Sequence, residues 1–328
     1  MSSTRHKLIS LLSKNTNDYI SGQTLSEQLN ISRSAIWKHM KELEKDGYVI
    51  EGKSRKGYRI IDFPNKLSEN TIQWGLNTKW LGKKIIHKTS IPSTQTFAHK
   101  EALDGAPNGT VIIANEQTSG KGRIDHHWHS QNEKGIWLSM ILRPNLLPYQ
   151  APQLTLLTAT VIADVIHRLT KLKPQIKWPN DILMNRKKIA GILTEMQAEQ
   201  DQILYVVIGI GLNILHTKDD FPNDISDKAT SLKIETNKQW KLKPFIQEIL
   251  TTFEKKYETY IDQGFPTVKK EWEFYGFRLN EKIQIQTKNA KWNGRFLGIA
   301  EDGALIVNNQ NGETNKLYSA EIAWFEEE

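Results

Sequence analysis

The sequence predicts a multidomain α+β chain: a helix-turn-helix with a trailing β-hairpin (residues 1–65), a central mixed α/β domain (66–275) and a small β-barrel (276–328). Three observations predict it. Capped amphipathic helices precede two short strands near the N-terminus, apolar strands alternate with helices from about residue 85, and after Gly276 short strands are separated by Asp302-Gly303 and Asn311-Gly312 turn pairs. A length of 328 residues suits two or three domains better than one core.

Composition narrows the function classes. Lys and Arg number 44 against 37 Asp and Glu, a formal charge of +7, so a basic partner surface depends on where the cations cluster and not on the total. The absence of cysteine excludes disulfides, thiolate zinc sites and a cysteine nucleophile, and fits a reducing compartment; a cytoplasmic protein is expected. No stretch approaches the roughly 18 consecutive apolar residues of a membrane span, so no membrane partner is expected.

In the first part, Thr24 and Glu27 have capping-box spacing, and a short helix is expected to begin at Thr24. Asn30 can leave it in a left-handed conformation. Ser32 then caps a longer helix that places Ile36, Met40 and Leu43 on one face, and Gly47 stops it. The outward side carries Arg33, Ser34, Trp37, Lys38 and Lys41, donors and a flat ring suited to phosphates and base edges. Residues 48–51 and 58–61 read as strands around a tip containing Lys53, Arg55 and Lys56. A turn, a capped second helix and a basic hairpin in that order favour DNA contact over a merely solvated charged face. Pro64 and the polar run to Asn70 read as a linker.

In the central part, strands are expected at 85–89, 111–114 and 136–142 and a helix at 154–169. The stretch Glu116-Gln117-Thr118-Ser119-Gly120-Lys121-Gly122-Arg123 follows a strand. Its two glycines let backbone N–H groups approach an anion, with Lys121 and Arg123 adding charge. No Ser or Thr follows Lys121, so this is not a Walker loop, and on its own it reads equally well as a basic surface loop. Lys177-Trp178-Pro179-Asn180-Asp181, followed by Lys188-Ile189-Ala190-Gly191-Ile192-Leu193, is more specific. Pro179 keeps Trp178 extended, Asn185-Arg186-Lys187 reverses the chain, and Lys188 returns beside the first strand with Gly191 leaving room nearby. Gly209-Ile210-Gly211-Leu212-Asn213 closes the apolar run 203–208 and is read as a strand end. His126, His127 and His129 crowd together but lack a carboxylate or thiol at ligand spacing, so no metal site is expected. In the run Arg186-Lys187-Lys188 only Lys188 is singled out.

Gln117, Gly120 to Arg123, Trp128, the Lys-Trp-Pro-Asn-Asp block, Lys188 with Gly191-Ile192-Leu193, the Gly-x-Gly-x-Asn pattern and Ala229-Thr230-Ser231-Leu232 together resemble the catalytic domain of biotin protein ligases. Ser32-Arg33-Ser34-Ala35-Ile36-Trp37-Lys38-His39 resembles the winged helix of the bifunctional bacterial members, so the likeness spans nearly the whole chain. It implies a class II synthetase-like ligase domain and an SH3-like C-terminal barrel. The chain departs from the family's usual Gly-Arg-Gly-Arg-x-Gly-Arg-x-Trp loop at Lys121 and at Ile124-Asp125-His126-His127, and from Ser-Thr-Asn at Ser93-Thr94-Gln95. Because Arg123 and Trp128 are retained, the loop departure touches loop closure and dimer contacts more than the chemistry.

The resemblance implies an enzyme that joins biotin to ATP as biotinyl-5′-AMP and passes biotin to a lysine of a biotin carboxyl carrier protein. Ser93, Thr94 and Gln117 would hold the ureido end, with Gln95, Gly120, Lys121, Gly122 and Gly191 around the ligand and Trp128 among the apolar walls. Arg123 and Lys188 would bridge the biotin carboxylate and α-phosphate as the catalytic cations. Magnesium would accompany ATP, with Asp181 as one candidate ligand. An adenylate-bound homodimer would present two winged helices to a palindromic operator, and the carrier would compete for the same surface. The rival readings are a lipoate-type ligase, a biotin sensor without catalysis, and a ligase whose first domain no longer binds DNA.

A final amphipathic helix at 245–261 and strands at 282–286, 291–299, 304–307 and 313–318 complete the expected chain.

Overall fold

The computed structural model describes residues 4–14, 18–64, 66–124, 126–130, 133–286, 291–318 and 321–324, and the chain divides into two compact units, Met1–Asn77 and Thr78–Glu328. The first unit comprises α1 (Thr4–Lys14), α2 (Gly22–Leu29), α3 (Arg33–Lys45), β1 (Val49–Lys53), β2 (Gly57–Asp62) and α4 (Glu69–Gln73). Ser21, not Thr24, caps α2: its hydroxyl accepts the Thr24 N–H at 3.0 Å, so Thr24 already stands inside the helix. Asn30 is left-handed at φ 53°, and Ser32 caps α3 by accepting from the Ala35 N–H.

Sequence reading did not anticipate α1. Its Leu8, Ile9 and Leu12 fall on one face and bury against Leu25, Ile36, Met40, Leu43 and Ile60. The expected linker is also corrected. Ser68 and Thr71 form a reciprocal capping box at the start of α4, Ile72 is buried, and Trp74 packs on Phe63 at 4.5 Å, so the unit runs on past residue 65 to Asn77.

The second unit comprises β3 (Ile85–Ile91), α5 (Thr94–Leu103), β4 (Thr110–Gln117), β5 (Gly135–Leu142), α6 (Ala151–Thr170), β6 (Gln175–Lys177), β7 (Asp181–Met184), β8 (Lys187–Glu199), β9 (Gln202–Asn213), α7 (Leu232–Thr236), α8 (Leu242–Gln263) and α9 (Pro266–Tyr275). After these come β10 (Lys282–Gln286), β11 (Lys291–Ile299), β12 (Leu305–Asn309), β13 (Thr314–Leu317) and β14 (Glu321–Ala323). The central sheet runs β3-β4-β5-β9-β8-β7-β6, antiparallel except for β3 with β4. Helix α5 packs over β4, β5 and β9, while the largely apolar α6 covers β6, β7 and β8 and is backed by α8 and α9. The small sheet runs β13-β12-β11-β10-β14 and belongs to the same compact unit as the central one.

A buried carboxylate fastens the start of this unit. Glu254 on α8 accepts the backbone N–H groups of Lys79 at 2.6 Å and of Trp80 and Leu81 at 2.8 Å. Trp178 ties the small sheet to the central one by donating its indole N–H to the Gly303 carbonyl at 3.1 Å.

The strand β9 corrects one reading. It continues through Asn213, so Gly209 and Gly211 lie within the strand, not at its end. Side chains alternate along a strand, so positions 205, 207, 209 and 211 share one face. The register sets Ser139 of β5 beside Gly209 and Trp137 beside Gly211, and on β8 sets Gly191 beside Gly211 and Glu195 beside Val207. Ser139, Gly209, Gly211 and Gly191 thus put small residues from three neighbouring strands on one floor, flanked by Trp137 and Glu195.

Candidate functional site

Three loops converge on that floor. The first leads from β3 into α5, where Ser93 caps the helix and Thr94 and Gln95 begin it, all three buried. The Gln117 amide oxygen accepts from the Thr94 N–H at 2.7 Å and the Thr94 hydroxyl at 3.0 Å, while its amide nitrogen donates to Ser130 Oγ at 3.0 Å. Gln117 is therefore fixed as an acceptor toward α5 and a donor toward the second loop.

The second loop is the Gly-Lys-Gly-Arg stretch, whose arms are zipped together. Gln117 N–H donates to the Ser130 carbonyl, Trp128 N–H to the Gly120 carbonyl and Gly122 N–H to the His126 carbonyl. Gly120 is required by close approach: a Cβ there would lie 2.4 Å from the Trp128 carbonyl oxygen. Ile124 sits at the tip with φ 52°, and Asp125 lies outside the described residues.

The third loop is the turn between β6 and β7, with a cis Trp178–Pro179 bond. Asn180 accepts from Arg123 Nη1 at 3.3 Å and donates to the Ile192 carbonyl at 2.8 Å, joining the second loop to β8. Beyond β7, Asn185 and Arg186 are both left-handed, at φ 49° and 64°, and reverse the chain as expected. Lys188 follows at the start of β8. Its ammonium lies 2.6 Å from Asp181 Oδ1 and 5.2 Å from the Trp128 ring centroid, while Lys177 reaches Asp181 Oδ2 at 3.3 Å. Lys188 N–H also donates to the Lys228 carbonyl, and Thr230 N–H donates back to Lys188, so the Ala229-Thr230 segment is laced to the same strand.

The three loops enclose a cavity of about 50 Å³ walled by Ser93, Thr94, Gln95, Gln117, Lys121, Gly122, Arg123, Trp128, Lys188 and Gly191. Every small-molecule site residue read from the sequence is on that wall except Gly120, which packs behind it against Trp128 and Ser130. Sequence reading missed Ser139 on the same wall, which only strand register signals; Asn180 and Leu193, also on it, stood in the quoted motifs without a site role of their own.

The cavity is small because Trp128 fills it. The ring lies on Gly211, where a Cβ would sit 2.3 Å from Trp128 Cε2, and on Gly191, where one would sit 2.9 Å from Cζ3. Small-molecule sites usually offer about 300–1,000 Å³, and the Trp128 ring occupies part of that space here. The cavity's wall residues also front two larger grooves. One of about 640 Å³ shares Trp128 and Lys188 and adds Lys177, Asp181, Phe221 and Ala229; another of about 610 Å³ shares Arg123 and Asn180 and adds Thr155, Tyr149 and Tyr318.

Trp128 also belongs to an aromatic chain running edge-on to Trp137, from Trp137 to His216, and face-on from His216 to Phe221. His216 is 1% exposed, and neither ring nitrogen has a hydrogen-bond partner among the described residues. Burial pushes its pKa down to about 4. Nearby, burial opposes ionisation of Asp220, but the ion pair with Lys134 and the Thr217 N–H and O–H outweigh it and hold the carboxyl well below its ordinary range.

On the first unit, Arg33, Ser34, Lys53, Arg55 and Lys56 surround a concavity of about 570 Å³ between the start of α2, the start of α3 and the hairpin tip. Trp37, 55% exposed, and Lys38 stand on the open face of α3, so the structure places them next to that concavity's helix but outside its wall. Tyr19 was not anticipated there; its ring lies under Arg59 and Lys53, and a hydrogen bond to Glu51 raises its phenol pKa.

The model of the Biotin/lipoate A/B protein ligase family matches residues 88–213, a Biotin protein ligase C terminal domain matches 279–323 and an HTH domain matches 4–59. The Bifunctional ligase/repressor BirA of Bacillus spizizenii is 45% identical over 321 residues, covering 98% of each chain. The chain belongs to the BirA family of bifunctional ligase/repressors. The Escherichia coli member is 27% identical over 97% of this chain and 96% of its own. Among solved structures, the biotin protein ligase from Aquifex aeolicus in complex with biotin and ATP is 26% identical, with a TM-score of 0.63 over 74% of this chain and 98% of that one.

Proposed function

We propose that the second unit condenses biotin with ATP to biotinyl-5′-AMP and transfers biotin to a lysine of a biotin carboxyl carrier protein, and that the first unit binds operator DNA as a biotin-responsive repressor. The observation carrying the enzymatic reading is that Arg123 and Lys188, from separate hairpins, share one cavity wall with the polar cluster Ser93, Thr94 and Gln117. In the first step a biotin carboxylate oxygen attacks the α-phosphorus and pyrophosphate leaves. Negative charge gathers on carboxylate and phosphate oxygens, and Arg123 and Lys188 would neutralise it with no covalent enzyme intermediate. In the second, an uncharged lysine amine attacks the acyl carbon, AMP leaves, and the amine gives up a proton.

By this reading the polar cluster takes the ureido ring, and the groove holding Phe221, Lys177 and Asp181 takes the nucleotide. Asp181 does not fit as a magnesium ligand, because Lys188 and Lys177 engage its two carboxylate oxygens. Magnesium would enter as ATP's own counter-ion, and no step here runs through it. We read the chain as a DNA-binding part to Asn77, a ligase part from Thr78 to about residue 275 and a C-terminal part beyond. We propose further that ligand binding displaces Trp128 and reorders its loop, and that an adenylate-dependent homodimer follows from that change. The cysteine-free composition supports a cytoplasmic setting, and among the described residues no helix is long and apolar enough to cross a membrane.

Biotin-dependent exchange of labelled pyrophosphate into ATP tests the first step. Arg123→Gly should form the adenylate but release it early; retention equal to the unsubstituted protein in a single turnover would remove Arg123 from that role. Gel shifts with and without biotinyl-5′-AMP, at fixed salt, test the repressor reading.

A further inference from the structure

We propose that Glu195 is a positioning residue: it holds the Gln95 amide with its oxygen turned into the cavity, and so selects an acid whose ring head carries N–H donors, as a cyclic urea does. This deepens the ligase reading above and rests on it.

The orientation follows from what each neighbour can do. Gln95 presents its amide nitrogen to Glu195 Oε2 at 2.9 Å and to the Val207 carbonyl at 3.2 Å. A backbone carbonyl and an ionised carboxylate only accept, so the amide nitrogen must face both and the amide oxygen must face away. Glu195 is kept ionised by geometry. His99 Nε2 lies 3.2 Å from Glu195 Oε2, with His99 Nδ1 3.3 Å from the Tyr205 hydroxyl on its far side. The bond from His99 chiefly lowers the Glu195 pKa, against burial, with help from Gln95 and the charge of Lys121.

The freed oxygen lies over Gly209, where a Cβ would sit 2.6 Å from it; only glycine leaves it that space. Its protein donor is the Ser139 hydroxyl at 3.2 Å, but that hydroxyl has one proton and a nearer acceptor, Thr94 Oγ1, at 2.9 Å. Thr94 cannot donate in return, since its own proton goes to Gln117 Oε1, already fixed as an acceptor by the Thr94 N–H. The chain of bonds therefore has one direction. It leaves acceptor capacity on Gln95 Oε1, in a residue 3% exposed, at the wall of the ligand cavity. A buried acceptor short of a donor favours a ligand N–H and penalises an apolar ring.

The test uses full-length protein and pyrophosphate exchange with two probes, biotin and a biotin methylated on a ureido nitrogen. Glu195→Gln replaces the nearer of the two obligate acceptors facing the Gln95 amide nitrogen with a side chain that can also donate, and leaves only the Val207 carbonyl at 3.2 Å to hold the amide in this orientation. Its KM for biotin should rise about tenfold with kcat changed less than about twofold, and the preference for biotin over the methylated probe should shrink by a similar factor. Gln95→Leu should show the same KM increase, and Gln95→Leu with Glu195→Gln should be no worse than Gln95→Leu alone. An unchanged KM in Glu195→Gln, additive effects in the double variant, or equal losses on both probes would overturn the assignment. If Glu195→Gln does not fold, His99→Gln with and without Gln95→Leu gives the same cycle with a smaller first effect. Failure of the unsubstituted protein to exchange pyrophosphate with biotin would instead count against the ligase reading.

Discussion

His216 gives the second unit a calculable weakness to acid. Its imidazole is packed between Trp137 and Phe221, and burial moves its pKa from 6.5 down to about 4. In the unfolded chain the ring takes a proton as pH falls through 6.5; in the folded chain it stays neutral until about 4. Between those values the unfolded state binds more protons, so stability falls as pH falls, and below about 4 this loss levels off. The contribution is about 0.2 kcal/mol of destabilisation at pH 7 and about 2 kcal/mol at pH 5. Asp220 opposes the shift, while His129 and Lys134 add to it. Neither ring nitrogen has a partner among the described residues, so His216→Leu removes the titration without breaking a hydrogen bond seen there. Urea unfolding followed by tryptophan fluorescence at pH 7 and pH 5 should show the unsubstituted protein losing about 2 kcal/mol more than His216→Leu over that interval. Equal losses in the two proteins would mean that the buried ring is protonated in the native state, and the reasoning fails.

Lys188→Met removes one of the two cations proposed to face the reacting oxygens and leaves Asp181 to Lys177; pyrophosphate exchange should fall by about 10² to 10³ in kcat, and a loss confined to KM would show that Lys188 only binds. Gly211→Ala sets a methyl carbon 2.3 Å from Trp128 Cε2, far inside the roughly 3.5 Å of ordinary contact. The ring must leave its seat at a cost of about 1–3 kcal/mol, and an unchanged urea midpoint and tryptophan spectrum would mean that the ring does not rest there. Glu254→Leu strips the acceptor from three backbone N–H groups; a stability loss of roughly 3 kcal/mol is expected, and one below about 1 kcal/mol would make that clamp ornamental. Replacing Lys53, Arg55 and Lys56 with Ala should flatten the dependence of log K on log salt by about one unit for each phosphate no longer neutralised, and weaker binding at an unchanged slope would place these cations off the backbone.

How much was legible depends on whether the signal is local. The turn at Asn30, the cap at Ser32 and the reversal at Asn185-Arg186 are set by a few adjacent residues, and the structure has them where the sequence suggests. Helix α1 was missed because its apolar residues are interrupted by polar ones and its stability comes from burial on α2, α3 and β2, which no local window contains. The polar run after Pro64 resembled a linker for the same reason: α4 is only five residues long, and its capping box and the Phe63–Trp74 contact hold it in place. Short β14 pairs with β10 from across the small sheet, a contact with no sequence-local mark.

The site divides along the same line. Residues that carry charge or ring chemistry stood out in the sequence, and the cavity gathers nearly all of them. What did not stand out is the floor beneath them. Gly209 and Gly211 looked like a strand end because glycine commonly marks one, but both are paired on either side within β9, where each is small for a different reason. Gly211 makes room for the Trp128 ring, and Gly209 for the Gln95 oxygen. Ser139 and Glu195 are inconspicuous in one dimension and decisive in three, since strand pairing sets them opposite Gly209 and Val207 and hence under Gln95. Chemistry at the cavity mouth can be read from residue type; the direction of its hydrogen bonds depends on which strands lie side by side, and that ordering is written only in the fold.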